Sequence, residues 1–206
     1  MDSAASRVEQ VEVTRRRLLD AARAVFVTAG YHGATLDAIA TAAGLTKGAV
    51  YSRFDGKADL FLALLEERIE ERLAQVRAVT RHGRLRDDVA AISRQWREIL
   101  GGDLAWTLLV MEFRIHAARD PEVNRRYAAL HQRYRRGLAD IVRAILDAAG
   151  ASAPVPVDDL VVGALAFGEG AALERAADPG AIDDDAFDRL SRALVGLGME
   201  RAERGP

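Results

Sequence analysis

TLDAIATAAGLTKGAVYSRFDGK, residues Thr35 to Lys57, is the stretch on which the reading of the whole chain turns. Thr35 precedes an apolar-periodic run of Leu36, Ile39 and Ala40, so its hydroxyl is placed to cap the free amides of a helix start. That helix ends at Gly44, because glycine enters the left-handed region that closes a helix at almost no steric cost, and Ala42 and Ala43 leave room for a neighbour. Thr46 then caps a second helix, Lys47 to Phe54. Val50 and Phe54 are four apart and face inward, which leaves Lys47, Ala49, Tyr51, Ser52 and Arg53 outside, rich in hydrogen-bond donors. Ala40, Gly44 and Val50 form the skeleton of a helix-turn-helix, over about residues 34–54, and the second helix of that motif enters the major groove of DNA. An ordinary helical hairpin is the competing reading. Two Thr caps, a turn of the right length and a polar outer face bracketed by Lys47 and Lys57 weigh against it.

Composition agrees with a helical protein. Half of the 206 residues are apolar and only 5 are proline, so the expectation is an all-α chain with a sizeable core. There is no cysteine, which removes disulfides and thiolate metal sites. The segment MDSAASRVEQVEV lacks the apolar core of a signal peptide, and no uncharged apolar run approaches the roughly 18 residues that span a bilayer. A cytoplasmic protein with no membrane partner is expected.

The net charge of −2 conceals a division of sign. From Val13 to Lys57 seven basic residues face three acidic ones, a net of +4, while residues 58–206 carry −4. A basic head on an acidic body suits steering toward DNA. Of the 29 basic residues only Lys47 and Lys57 are lysine, and a compact ammonium is a good point-charge partner for phosphate.

Upstream, residues 1 to about 10 read as a disordered arm, followed by a helix from a Thr14 cap to about Ala29, stopped by Gly30 and buried along Leu18, Ala22, Val25 and Phe26. The Arg15–Arg17 run lies within reach of a DNA backbone and reads equally well as a solvated helix end. Downstream, Asp55-Gly56 is a turn signal, and Lys57 opens a long helix carrying Leu60, Phe61, Leu64, Leu65, Ile69, Leu73 and Val76. That helix is too long for the head alone and is expected to act as a connector.

With these residues in place, GYHGATLDAIATAAGLTKGAVYSRFDGKADLF resembles the N-terminal signature of the TetR family of bacterial transcriptional regulators, over about Arg15 to Glu70. Shared are the Gly-Tyr before the motif, the Thr cap, Ala-Gly at the turn, a Tyr in the recognition helix, a Phe closing it and a Lys opening the next helix. Ser52 and Arg53 depart from the aromatic or His residues common there, which bears on the operator read. The resemblance implies a homodimeric repressor with a head over residues 11–72 and a diverged helical ligand-binding and dimerisation domain over 73–206, about nine helices in all.

On this reading Lys47, Tyr51 and Lys57 hold phosphates, Thr35 and Thr46 cap helices beside the backbone, Ala49, Ser52 and Arg53 face bases, and Gly48 belongs to the same DNA-binding set. Beyond the head, helices are expected over Arg84 to Leu100, from an Asp103 cap through LAWTLLVMEFRIHAAR, from Asp120-Pro121 to about Ala149, from Asp158 to near Ala177, and after Asp178-Pro179-Gly180. Gly163, Ala164, Ala166, Gly168, Gly170, Ala171 and Ala172 make one of these unusually small-sided. Each interior Gly costs about 1 kcal/mol relative to Ala, so close approach is expected to offset it; homodimerisation through the last two helices, about 158–204, supplies that approach, with packing inside the chain or against a ligand as the alternative.

The candidate effector pocket is drawn from Trp96, Trp106, Met111, Phe113 and Phe167 as apolar walls and Glu112, His116, Tyr127, His131 and Glu169 as polar groups. The partners expected are a double-stranded DNA operator, a second copy and an unknown small-molecule effector, with no cofactor and no metal. Glu112 and His116 are four apart with no second copy, which does not fit the Glu-x-x-His repeat of a di-metal bundle, and HExxH, Walker and GxSxG motifs are missing, so no enzyme is expected. A helical DNA-binding protein without effector sensing is the alternative.

Overall fold

The computed structural model describes residues 2–80, 88, 91–92, 94–95, 103–153 and 155–196, and of these the side chains from residue 10 to 191 and of residue 193. Among the described residues there are eight helices and no strand: α1 (Asp2–Gly33), α2 (Leu36–Ala42), α3 (Lys47–Tyr51), α4 (Lys57–Val79), α5 (Leu104–Ala118), α6 (Pro121–Ala149), α7 (Val157–Ala177) and α8 (Asp184–Gly196). The all-α expectation holds. The helix expected over Arg84 to Leu100 falls largely outside the described residues, although 88, 91, 92, 94 and 95 are helical.

The first helix begins earlier than expected. Thr14 is not a cap: it lies inside α1 and its hydroxyl donates to the carbonyl of Gln10 at 2.8 Å. The physical reason is that Asp2–Val13 contains no Gly or Pro, so nothing in it stops a helix. At the other end the stop at Gly30 is real. Gly30 has φ 70 and ψ 170, and the chain kinks there before a last turn through Gly33. Leu18, Leu19, Ala22 and Phe26 are fully buried, and the Phe26 ring meets Phe61 of α4 edge-on at 5.2 Å between centroids.

Asp120 caps α6 as the sequence implies, its Oδ1 accepting from the amides of Glu122 and Val123 at 3.0 and 3.2 Å. By contrast α7 starts one residue early, at Val157, with Pro156 in the cap position and no side-chain cap bond. Asp183, not one of the residues singled out above, caps α8 by accepting from the Ala186 amide.

The chain divides into two compact units, Met1–Arg68 with Leu109–Tyr127, and Ile69–Leu108 with Ala128–Pro206. The division therefore falls a few residues before the expected boundary at 72, and the latter part of α5 with the start of α6 joins the head. The core of the first unit is aromatic: Phe26, Tyr31, Phe61 and Phe113 are all buried, and Phe61 lies 4.3 Å from Phe113 between ring centroids. In the second unit α4 and α6 approach closely, since a Cβ on Gly137 would lie 2.7 Å from Leu73 Cδ1. Phe167 and Ile182 pack on a small cluster of Ala171 and Phe187 that joins α7 to α8.

Candidate nucleic-acid interface

Both Thr caps form. The Thr35 hydroxyl accepts from the Ala38 amide at 3.1 Å and the Thr46 hydroxyl from the Ala49 amide at 3.3 Å, each from an extended backbone. Between them Gly44 takes φ 64, and the Leu45 amide bonds back to the Ala40 carbonyl at 2.9 Å, closing α2 as a left-handed glycine cap does. A tie from α1 secures the turn. Arg17 Nη2 donates to the Ala43 carbonyl at 2.9 Å, a cation on the negative end of a short helix. Arg17 is therefore spent on the turn, and Arg16 pairs with Glu67 at 3.6 Å.

Recognition helix α3 is shorter than expected, Lys47–Tyr51, yet its bonding runs on, with the Ser52 amide on Gly48 and the Phe54 amide on Val50, both at 3.0 Å. Val50 and Phe54 are buried as the spacing requires. Thr46, Lys47, Gly48, Tyr51 and Ser52 are exposed and Ala49 half-buried, and Tyr51 presents 52% of its surface to solvent. These residues form one uninterrupted outer face.

The cations on that face are already engaged. Lys47 Nζ meets Asp37 at 2.9 Å and lies 5.8 Å from the Tyr51 ring, and the hydrogen bond to Asp37, followed by its charge, raises the lysine pKa. Arg53 turns back along its own helix, with Nη1 donating to the Ala49 carbonyl at 3.0 Å and to Ser52 Oγ at 3.2 Å. Lys57 is turned inward as well. Its Nζ donates to the His32 and Ala34 carbonyls at 3.1 and 3.0 Å and covers the Tyr31 ring at 4.8 Å, and burial lowers its pKa.

The candidate effector residues are divided between the two units. Glu112, Phe113, His116 and Tyr127 belong to the first unit. Glu112 and His116 do not pair with each other; both address Tyr31, the carboxylate on its amide at 2.8 Å and the imidazole with ring centroids 4.8 Å apart. Phe113 touches Tyr31, Phe61 and Tyr127. Those four side chains are core and contact residues of the head. Trp106, His131, Phe167 and Glu169 belong to the second unit, Trp106 buried and Phe167 on the Phe187 ring at 5.2 Å. Met111 is half-buried on α5, and Trp96 lies outside the described residues. Among the described residues, no group of three or more His, Cys, Asp or Glu is arranged to hold a metal ion. No helix among them is long and apolar enough to cross a membrane.

Arg17, Tyr31 and Asp37 were not among the predicted site residues. Tyr31 carried a signal as part of the Gly-Tyr pair ahead of the motif, and Arg17 as part of the Arg15–Arg17 run, whereas Asp37 carried none.

Known proteins agree with this geometry. The family description "Bacterial regulatory proteins, tetR family" matches residues 18–64, and "BetI-type transcriptional repressor, C-terminal" matches residues 100–197. The chain is 51% identical over 59 residues to the HTH-type transcriptional regulator SrpR of Pseudomonas putida, a match over 29% of this chain that spans only 28% of that relative. It is 29% identical over 120 residues to the HTH-type transcriptional repressor Rv1474c of Mycobacterium tuberculosis, 58% of this chain and 59% of the relative. In fold it is similar to the transcriptional regulator FadR from Bacillus subtilis, solved in complex with stearoyl-CoA, at a TM-score of 0.70 and 16% identity over 87% of this chain and 97% of that one. A capped helix-turn-helix inside the first matched region, followed by helices α5 to α8 inside the other, places this chain in the TetR family of bacterial transcriptional regulators.

Proposed function

We propose that this chain is a transcriptional regulator that binds a palindromic DNA operator as a homodimer, represses by occupying it, and is released by a small, mostly apolar effector bound in the second unit. The observation that carries the reading is the doubly capped helix-turn-helix with Thr46, Lys47, Gly48, Tyr51 and Ser52 exposed on one face. Lys47 reaches a phosphate by exchanging Asp37 for it, Tyr51 and the amides beside Thr35 and Thr46 add backbone contacts, and Ala49 and Ser52 face the bases. Arg53 joins them by releasing the Ala49 carbonyl. Lys57 keeps its two carbonyls and offers phosphate its third N–H.

The dimer forms through α7 and α8. Val162, Ala166, Gly170 and Leu173 share one exposed stripe of α7, with Val162 43% and Leu173 50% exposed, and Leu190 of α8 is 44% exposed. A Cβ on Gly163 or Gly170 would meet nothing within 4 Å, so there is room for a second backbone. Gly168, Ala171 and Ala172 are buried within the chain instead. The small-residue helix thus serves two neighbours. Support for an apolar effector comes from the FadR likeness, whose structure holds stearoyl-CoA, and from the apolar second-unit candidates Trp106 and Phe167.

Selection of duplexes from a random pool tests this reading. The expected product is a palindrome with half-site centres about 34 to 36 Å apart, one turn of DNA, or a multiple of it. Failure to enrich any sequence would overturn it.

A further inference from the structure

We propose that Glu112 is a positioning residue for the helix-turn-helix: its carboxylate, seated in the Gly30 kink, fixes the turn from which α2 departs. This rests on the DNA-binding reading above. The kink at Gly30 ends the main run of α1 and starts one more turn, closed by the Ala34 amide on the Gly30 carbonyl at 3.2 Å. The first amide of that turn, on Tyr31, has lost its place in the helix ladder. Glu112 Oε2 accepts from it at 2.8 Å, from 81 residues away in sequence.

Gly30 makes the approach possible. A Cβ there would lie 2.8 Å from Glu112 Oε2 and 3.3 Å from Oε1, and the φ of 70 is itself unfavourable for any other residue. The far end of the same turn is held by Lys57, whose Nζ binds the His32 and Ala34 carbonyls. An anion on the first amide and a cation on the last carbonyls both follow the polarity of a helical turn. Thr35, the cap of α2, comes directly after Ala34, so the turn sets where α2 begins and, through the Leu45 amide on Ala40, where α3 lies. Phe113 and His116 flank the carboxylate on α5 and pack on Tyr31 at 5.0 and 4.8 Å between centroids. Together they hold the α5 surface against this turn.

The test uses full-length Glu112→Ala and Glu112→Gln, with three readouts: exchange of the Tyr31 amide, operator affinity, and the salt slope of that affinity. Glu112→Ala is expected to speed Tyr31 exchange and raise the operator Kd by about tenfold, the scale of one charge-assisted hydrogen bond, with the salt slope unchanged. Glu112→Gln keeps an acceptor oxygen and is expected to recover most of both. Faster exchange with an unchanged Kd would overturn the positioning role. A Kd increase without faster exchange, or a changed salt slope, would overturn it too, by pointing to a direct role at the DNA. If the wild-type chain selects no operator, the DNA-binding reading has failed, and Tyr31 exchange still decides whether the carboxylate holds the turn.

Discussion

Lys57→Met separates two roles that the sequence alone merges. The lysine ammonium donates to the His32 and Ala34 carbonyls and covers the Tyr31 ring. Methionine keeps most of the apolar stem but loses all three donors and the charge. A hydrogen bond to a charged group is worth about 1.5 to 3 kcal/mol, and the cation–π contact about 0.5 to 1 kcal/mol where solvent has access. The two carbonyls do not weigh equally: Ala34 is 1% exposed, while His32 is open and its carbonyl is more readily taken over by water. Part of the gain is also offset by the cost of burying the ammonium, the same cost that lowers its pKa. A net loss of about 2 kcal/mol results, which for a chain of this size lowers Tm by about 4 to 8 °C. Thermal unfolding followed by circular dichroism measures this directly. An unchanged Tm would refute the clamp. Operator titrations at several salt concentrations then measure the second role, because one lost phosphate contact reduces the slope of log K against log salt by about 0.9. A lowered Tm with an unchanged slope would leave Lys57 a clamp alone.

Asp37→Asn releases Lys47 from its partner and removes a negative charge from the DNA-facing side, so affinity for all duplexes is expected to rise by a similar factor, with a steeper salt slope; fluorescence anisotropy on operator and unrelated DNA checks it. Leu173→Glu places a charge on the exposed stripe of α7 and is expected to shift sedimentation from dimer to monomer, weakening operator binding more than about tenfold. Tyr31 gives a pH dependence. Burial, with a smaller contribution from Asp120, raises its pKa from 10.0 to about 12, so its stabilising contribution is complete below pH 10 and is lost as pH rises through about 12. The loss is at most about 2 to 3 kcal/mol, and Tyr31→Phe is expected to flatten that part of the alkaline unfolding profile.

The features legible in the sequence are those whose cause is local. Thr35 and Thr46 cap amides three residues away, Gly44 supplies a conformation other residues resist, and Asp120 precedes a proline, so each is specified within a few positions. The partners of Lys57 and Glu112 lie 25 and 81 residues away, and no periodicity reports them. Arg53 shows the same limit differently. Its spacing puts it on the outer face, but its rotamer folds the guanidinium onto Ala49 and Ser52. On α5 the apolar pattern gave no sign that Leu109 to Ala118 would be grouped with the head, or that Glu112 and His116 would meet Tyr31 there. The extension of α1 to Asp2 is not legible from apolar content, which is low there; the segment is merely free of Gly and Pro.

The central claim is that the exposed face of α3 reads base sequence. Its most direct test is the ratio of affinities for the selected operator and for an unrelated duplex of equal length, measured at one physiological salt concentration for the wild type and for Ser52→Ala. The wild-type ratio is expected to lie between about 10³ and 10⁷ and to fall in the variant through weaker operator binding alone. A ratio near one, or a Ser52→Ala change that weakens both duplexes equally, would contradict it.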